Sequence, residues 1–165
     1  MRRLVIGGAL AVLVVSLAAC GGSGSGSSSD DAEAREAQLY AIDQIERSWH
    51  KAASTHNLDL MMSLWAPGSS FTISGQTYTG KAAIREALSK AGPFQPQNHW
   101  VSDTPAYKIR TTVNGDKGTL YFQCHYVDTK TGKVEAVVGA DQDVKLIDGK
   151  WLITNSVGST VTLSP

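Results

Sequence analysis

The chain is short of cysteine, of net charge and of long apolar runs, and each shortage removes a class of function. It has two cysteines in 165 residues, too few for a disulfide scaffold. Fifteen basic residues balance fifteen acidic ones. That leaves no positive excess to hold nucleic acid by its phosphates. His50, His56, His99 and His125 show no tight ligand spacing, so no metal site is expected. No G-x-S-x-G elbow, phosphate-binding loop or cysteine-pair cluster occurs, and no cofactor is expected either. The longest apolar run without a charge or hydrogen-bonding side chain covers residues 4–15. A membrane-spanning helix needs about 20 such residues.

That run has a different use. Met1-Arg2-Arg3 is a short basic start, the run follows, and Ser16, Leu17, Ala18, Ala19 and Cys20 come next. A basic start, a short apolar stretch and small residues before a cut describe an export signal. Leu17-Ala18-Ala19-Cys20 resembles a bacterial lipobox. The resemblance implies cleavage before Cys20, a diacylglycerol on its sulfur and acylation, as by palmitate, of the new amino end. At about 0.8 kcal/mol per buried methylene, two or three chains hold a protein on a bilayer. The expected location is the extracytoplasmic face of the cell membrane, with the lipid on Cys20 as the membrane partner. Cleavage removes Arg2 and Arg3, leaving 13 basic against 15 acidic residues and a charge of −2. Cys124 becomes the one free thiol, expected to be packed and inert, with no base readable beside it.

Residues 21–29 are glycine and serine only, a flexible tether with a reach of about 17 Å. The division is therefore a signal at 1–19, a lipidated cysteine and tether at 20–31, and one domain at 32–165.

The domain opens with helical periodicity. Ala34, Ala37, Ala41, Ile42, Ile45, Trp49, Ala52 and Ala53 form one stripe over residues 32–56. A shorter helix is expected over 58–65, stopped by Pro67-Gly68. Two short strands are expected at 70–74 and 76–79, then a third helix over 80–91 closed by Gly92-Pro93. Strands follow. Residues 99–113 read as one strand interrupted at Pro105. Runs at 118–128, 133–147 and 151–157 are joined by Thr131-Gly132 and Asp148-Gly149, and Asn114-Gly115-Asp116 precedes them. Helices first and hairpin-linked strands after make an α+β fold. A curved antiparallel sheet with about three helices from the N-terminal half on one face forms a cone with a pocket inside.

Several pieces carry a family likeness: Asn57-Leu58-Asp59, Leu64-Trp65-Ala66-Pro67 leading into Phe71, Gly80-Lys81-Ala82-Ala83-Ile84, Asn98-His99-Trp100-Val101-Ser102, and Asp148-Gly149-Lys150-Trp151. In this order and spacing they resemble the SnoaL-like domains of the nuclear-transport-factor-2-like superfamily, over residues 37–158. The resemblance implies the cystatin-like cone fold and a pocket lined by Trp49, Trp65, Phe71 and Trp100. It also implies His99 as an acid–base group, as in SnoaL-like dehydratases, since an imidazole titrates near neutrality. Ketosteroid isomerases of this fold carry a pocket acid at the position of Asp143. A carboxyl there would stabilise a developing oxyanion. Their general base falls near Ile73 and their oxyanion tyrosine near Trp49, and neither residue can do that work.

Alternation sets Asp141, Asp143 and Lys145 on one strand face and Val144 and Leu146 on the other. His99 has a plainer reading too, as a strand histidine held by a local hydrogen bond. The expected function is binding of a small apolar ligand or an envelope partner, without catalysis and without nucleic acid. The enzymatic alternative is a cofactor-free dehydratase, cyclase or isomerase using His99 and Asp143. A homodimer through the outer sheet face fits either.

Overall fold

The computed structural model describes residues 27–161. Helix α1 (Ser27–Ser54) leads. Its stripe turns inward only from Ile42, and Ile42, Ile45, Trp49, Ala52 and Ala53 are buried. Ala34 and Ala37, expected in the same stripe, are exposed. The first turns of the helix thus project beyond the packed body.

Helix α2 (Leu58–Met62) is capped by the Asn57 side chain, which accepts the Leu60 N–H at 2.8 Å. It is shorter than the sequence suggests. The chain enters strand β1 (Trp65–Ile73) at once. Pro67-Gly68, expected to end a helix, instead lies in an irregularity of this strand, between Trp65 and Ser70. A bulge tolerates a proline because that residue is out of the ladder. Strand β2 (Gln76–Thr79) and helix α3 (Lys81–Ser89) follow, then a 3-10 turn at Gly92–Phe94.

Strands β3 (Trp100–Asp103) and β4 (Arg110–Asn114) both pair with one edge of β5 (Lys117–Asp128). They are one interrupted edge strand, as the proline at 105 suggested, with a 3-10 turn at Ala106–Lys108 as the interruption. Strands β6 (Val134–Ile147) and β7 (Lys150–Thr160) complete the sheet. Its order is β2-β1-β7-β6-β5-β3. All pairings are antiparallel except β1 with β7, which is parallel. The expected sheet was antiparallel throughout. β1 lies between its sequence neighbour β2, with which it is antiparallel, and the last strand, with which it forms the parallel pair.

The result is the expected α+β architecture, a curved, unclosed sheet with helices on one face. The inner face carries Leu120, Phe122, Cys124 and Tyr126 of β5, Ala140 and Val144 of β6, and Ile153 of β7, all buried. Burying each large apolar side chain contributes about 1.5–3 kcal/mol, and this face meets the stripe of α1.

Candidate functional site

Between the sheet and the segment after α3 lies a cavity of about 230 Å³. Its aromatic walls are Trp49 from α1, Phe71 from β1, Phe94 from the 3-10 turn, Trp100 from β3 and Tyr126 from β5. Ile73, Leu88, Pro93 and Val138 add aliphatic surface, and small residues complete it. Its lining includes no carboxylate, amine, imidazole or thiol. Gly92 lets one wall form, because a Cβ there would stand 2.4 Å and 2.7 Å from ring carbons of Trp100.

Three of the four residues expected in the pocket are there: Trp49, Phe71 and Trp100. Trp65 is not. It is fully buried behind the wall, with ring centroids 6.0 Å from Trp49 and 5.7 Å from Phe71. Ile73, where isomerases of this fold place their base, lines the cavity as an alkyl group.

His99 and Asp143 do not meet. His99 is exposed, and its main-chain carbonyl accepts from the Thr129 N–H at 2.9 Å and hydroxyl at 3.0 Å. Asp143 is exposed on the outer sheet face, where alternation put it. Its carboxylate accepts from the Asn155 amide at 3.2 Å. Asp143 pairs with Thr119 and Trp100 with Asp128, so the two candidates stand at opposite ends of β5. At the rise of a strand that is about 30 Å.

A buried polar line unforeseen in the sequence runs beside the cavity. Glu46 and His50 are one helical turn apart on α1, and Glu46 Oε1 lies 3.0 Å from His50 Nδ1. His50 Nε2 lies 2.6 Å from Thr104 Oγ1 and 2.9 Å from Cys124 Sγ. Burial pushes His50 down to about 4, against the nearby Asp103 charge, so the ring is neutral. The carboxylate beside Nδ1 assigns the N–H to that nitrogen and leaves Nε2 as acceptor. Burial also raises Glu46, opposed by a hydrogen bond from Thr104. Cys124 is pushed up to about 12 by burial.

The expectation of a packed, inert Cys124 therefore needs one correction, because a base does stand beside it. That base does not activate the thiol. An imidazole near 4 does not take a proton from a thiol near 12, so the line is a set of hydrogen bonds rather than a nucleophilic triad. Tyr126 lies two residues further along β5 on the same buried face as Cys124, and burial raises its pKa. Among the described residues, no group of three or more His, Cys, Asp or Glu could hold a metal ion.

The family model for the SnoaL-like domain matches residues 46–152. No curated protein matches the sequence. Solved structures share the fold at low identity. An NTF2-like protein with a cystatin-like fold from Novosphingobium aromaticivorans is 15% identical, with a TM-score of 0.69 over 83% of this chain and 91% of that one. A protein provisionally described as an NTF2-like dehydratase, from Streptomyces avermitilis, is 13% identical, with a TM-score of 0.62 over 78% and 99%. One provisionally described as a ketosteroid isomerase, from Shewanella frigidimarina, is 14% identical, with a TM-score of 0.60 over 72% and 94%. At such identities the likeness speaks for the fold alone.

Proposed function

The chain belongs to the SnoaL-like domain family, and from that premise we propose that it binds a small apolar molecule in the cone without transforming it. The observation that carries this reading is the cavity lining. It offers five aromatic side chains and no group that titrates near neutrality. Proton transfer needs a base or acid within reach of the reacting atom, and His99 and Asp143 lie elsewhere. The provisional dehydratase and isomerase names belong to neighbours whose likeness is one of fold. The volume, about 230 Å³, exceeds the roughly 150 Å³ that accommodates benzene in an engineered apolar cavity. A two-ring compound is the matching size.

We further propose that the chain works at the extracytoplasmic face of a membrane, held by lipid on Cys20. The support is the lipobox-like Leu17-Ala18-Ala19-Cys20, outside the described residues, and the glycine–serine run after it, whose last part, with Asp30 and Asp31, is not tether but the start of α1 at Ser27.

Native mass spectrometry of the full chain, extracted in mild detergent from its own envelope, tests the binding reading. The expected result is a retained small apolar molecule that Trp100→Ala releases. A chain that emerges empty and takes up no apolar ring compound overturns it.

A further inference from the structure

A ligand must pass some part of the wall to reach the cavity, and the parts differ in how they are held. The lining strands are tied in continuous ladders, β5 to β6, β6 to β7 and β7 to β1. Trp49 stands on α1, whose inner stripe is buried. The rest of the wall is the strap between α3 and β3, residues 90–99, which supplies Ala91, Gly92, Pro93 and Phe94. Resting on the binding reading above, we propose that this strap is the gate through which the apolar ligand enters and leaves, and that His56, outside the cavity, is the positioning residue that latches it.

The strap's hydrogen bonds are mostly its own. The Phe94 N–H donates to the Ala91 carbonyl at 2.9 Å, the Gln95 N–H to Gly92 at 3.1 Å and the Asn98 N–H to Gln95 at 3.0 Å. The Asn98 side-chain amide reaches back to the Gly92 carbonyl at 2.9 Å, and the Gln95 amide to that of Ser89, the last residue of α3, at 2.6 Å. Such a locally bonded unit moves as one piece. At its far end the His99 carbonyl is tied by Thr129. Between its ends the tie to the body is at Pro93, whose carbonyl accepts from His56 Nδ1 at 2.7 Å. A carbonyl only accepts, so the proton stands on Nδ1. The imidazole is mounted on a braced corner. The His56 N–H donates to Ala53 at 3.2 Å and the Asn57 N–H to Ala52 at 2.8 Å, closing α1, and the Asn57 side chain caps α2. This corner holds His56 at a φ of 52°, the left-handed conformation that a helix end normally gives to glycine. A side chain there costs the backbone some freedom, and the hydrogen bond it makes in return is the one to Pro93. Opening uncovers Phe94, 8% exposed, so the open form is a minor state. Entry and exit both pass through it, so a weaker latch raises both rates by one factor and leaves the affinity alone.

His56→Gly tests the latch, because glycine keeps the corner at its φ and removes only the imidazole. The probe is 1-aminonaphthalene, a two-ring compound that is uncharged at neutral pH. It is mixed by stopped flow with the full chain in detergent and read by energy transfer from Trp49 and Trp100, which line the cavity, so that probe in micelles stays silent. Excess naphthalene displaces it to give the dissociation rate. We expect His56→Gly to raise the association and dissociation rates alike, about fivefold, the worth of one hydrogen bond, and to leave Kd within about twofold. A rise confined to dissociation, which mere loosening of the wall would give, overturns the gate, and so do unchanged rates. A second reading needs no ligand. In His56→Gly, relaxation dispersion should show the strap amides sharing one exchange process, with β5, β6 and β7 silent. Dispersion that spreads into those strands, or that is missing from the strap, overturns the gate and leaves the binding reading standing. A wild-type chain that takes up no 1-aminonaphthalene sinks the binding reading, and the gate falls with it.

Discussion

A neutral imidazole buried between a carboxylate and a thiol makes folding sensitive to acid. Folded His50 titrates at about 4 against an ordinary 6.5. Its contribution is complete above 6.5 and is lost as pH falls from there toward 4, because the unfolded chain takes the proton that the fold refuses. The full loss is about 3 kcal/mol. Glu46 runs the other way. Burial raises its carboxyl above 4.5, so its contribution is complete below 4.5 and is lost as pH rises through the folded value. The net acid slope is therefore shallower than His50 alone would give. Urea unfolding from pH 7 to 4 should show the wild-type midpoint falling, and His50→Gln should flatten that fall. Parallel midpoint curves for the two proteins would mean that His50 takes up protons equally in both states.

At the scale of elements, the cavity depends on a contact between the 3-10 turn after α3 and strand β3. Gly92→Ala would drive a methyl into the Trp100 ring, 2.4 Å from its nearest carbon. The ring must move, at a cost of about 1–3 kcal/mol, and the wall moves with it. Gly68→Ala is the control, since a Cβ there meets nothing within 4 Å. Thermal melts should separate the two variants, with weakened binding of an apolar ring compound only for Gly92→Ala. Gly92 was legible beforehand only as a helix stop. The same limit applies across the fold. The α1 stripe from Ile42 to Ala53 and the turns at Asn114-Gly115 and Asp148-Gly149 declare themselves locally, through periodicity and turn chemistry. The start of β1 does not, because Pro67-Gly68 reads as punctuation until a sheet exists to bulge around it. Alternation placed Asp143 outside, and the structure agrees with alternation over the family analogy. The buried line was half visible. Glu46 and His50 are an i, i+4 pair, but Cys124 lies 74 residues from His50 and Thr104 lies 54 away, distances that only tertiary packing closes.

For the whole molecule, if Cys20 carries the proposed lipid, α1 sets how far the cavity stands from it. The helix has 28 residues, or about 42 Å at its usual rise. Asp30 through Ala37 are exposed, so this part acts as a spacer rather than as core. Trp49 comes 22 residues after Ser27, about 33 Å along the axis. The four tryptophans, Trp49, Trp65, Trp100 and Trp151, all belong to the packed body. With the lipid embedded and the spacer upright, none of them reaches the acyl chains. Tryptophan fluorescence of the lipidated chain in vesicles should then be unchanged when the acyl chains are brominated, and Cys20→Ser should leave the vesicles altogether. The alternative geometry has a different consequence. Strong quenching would mean that the helix lies along the bilayer and brings the cone down to it, and the ligand would then enter from the lipid phase. An unquenched body held off the surface would take its ligand from water.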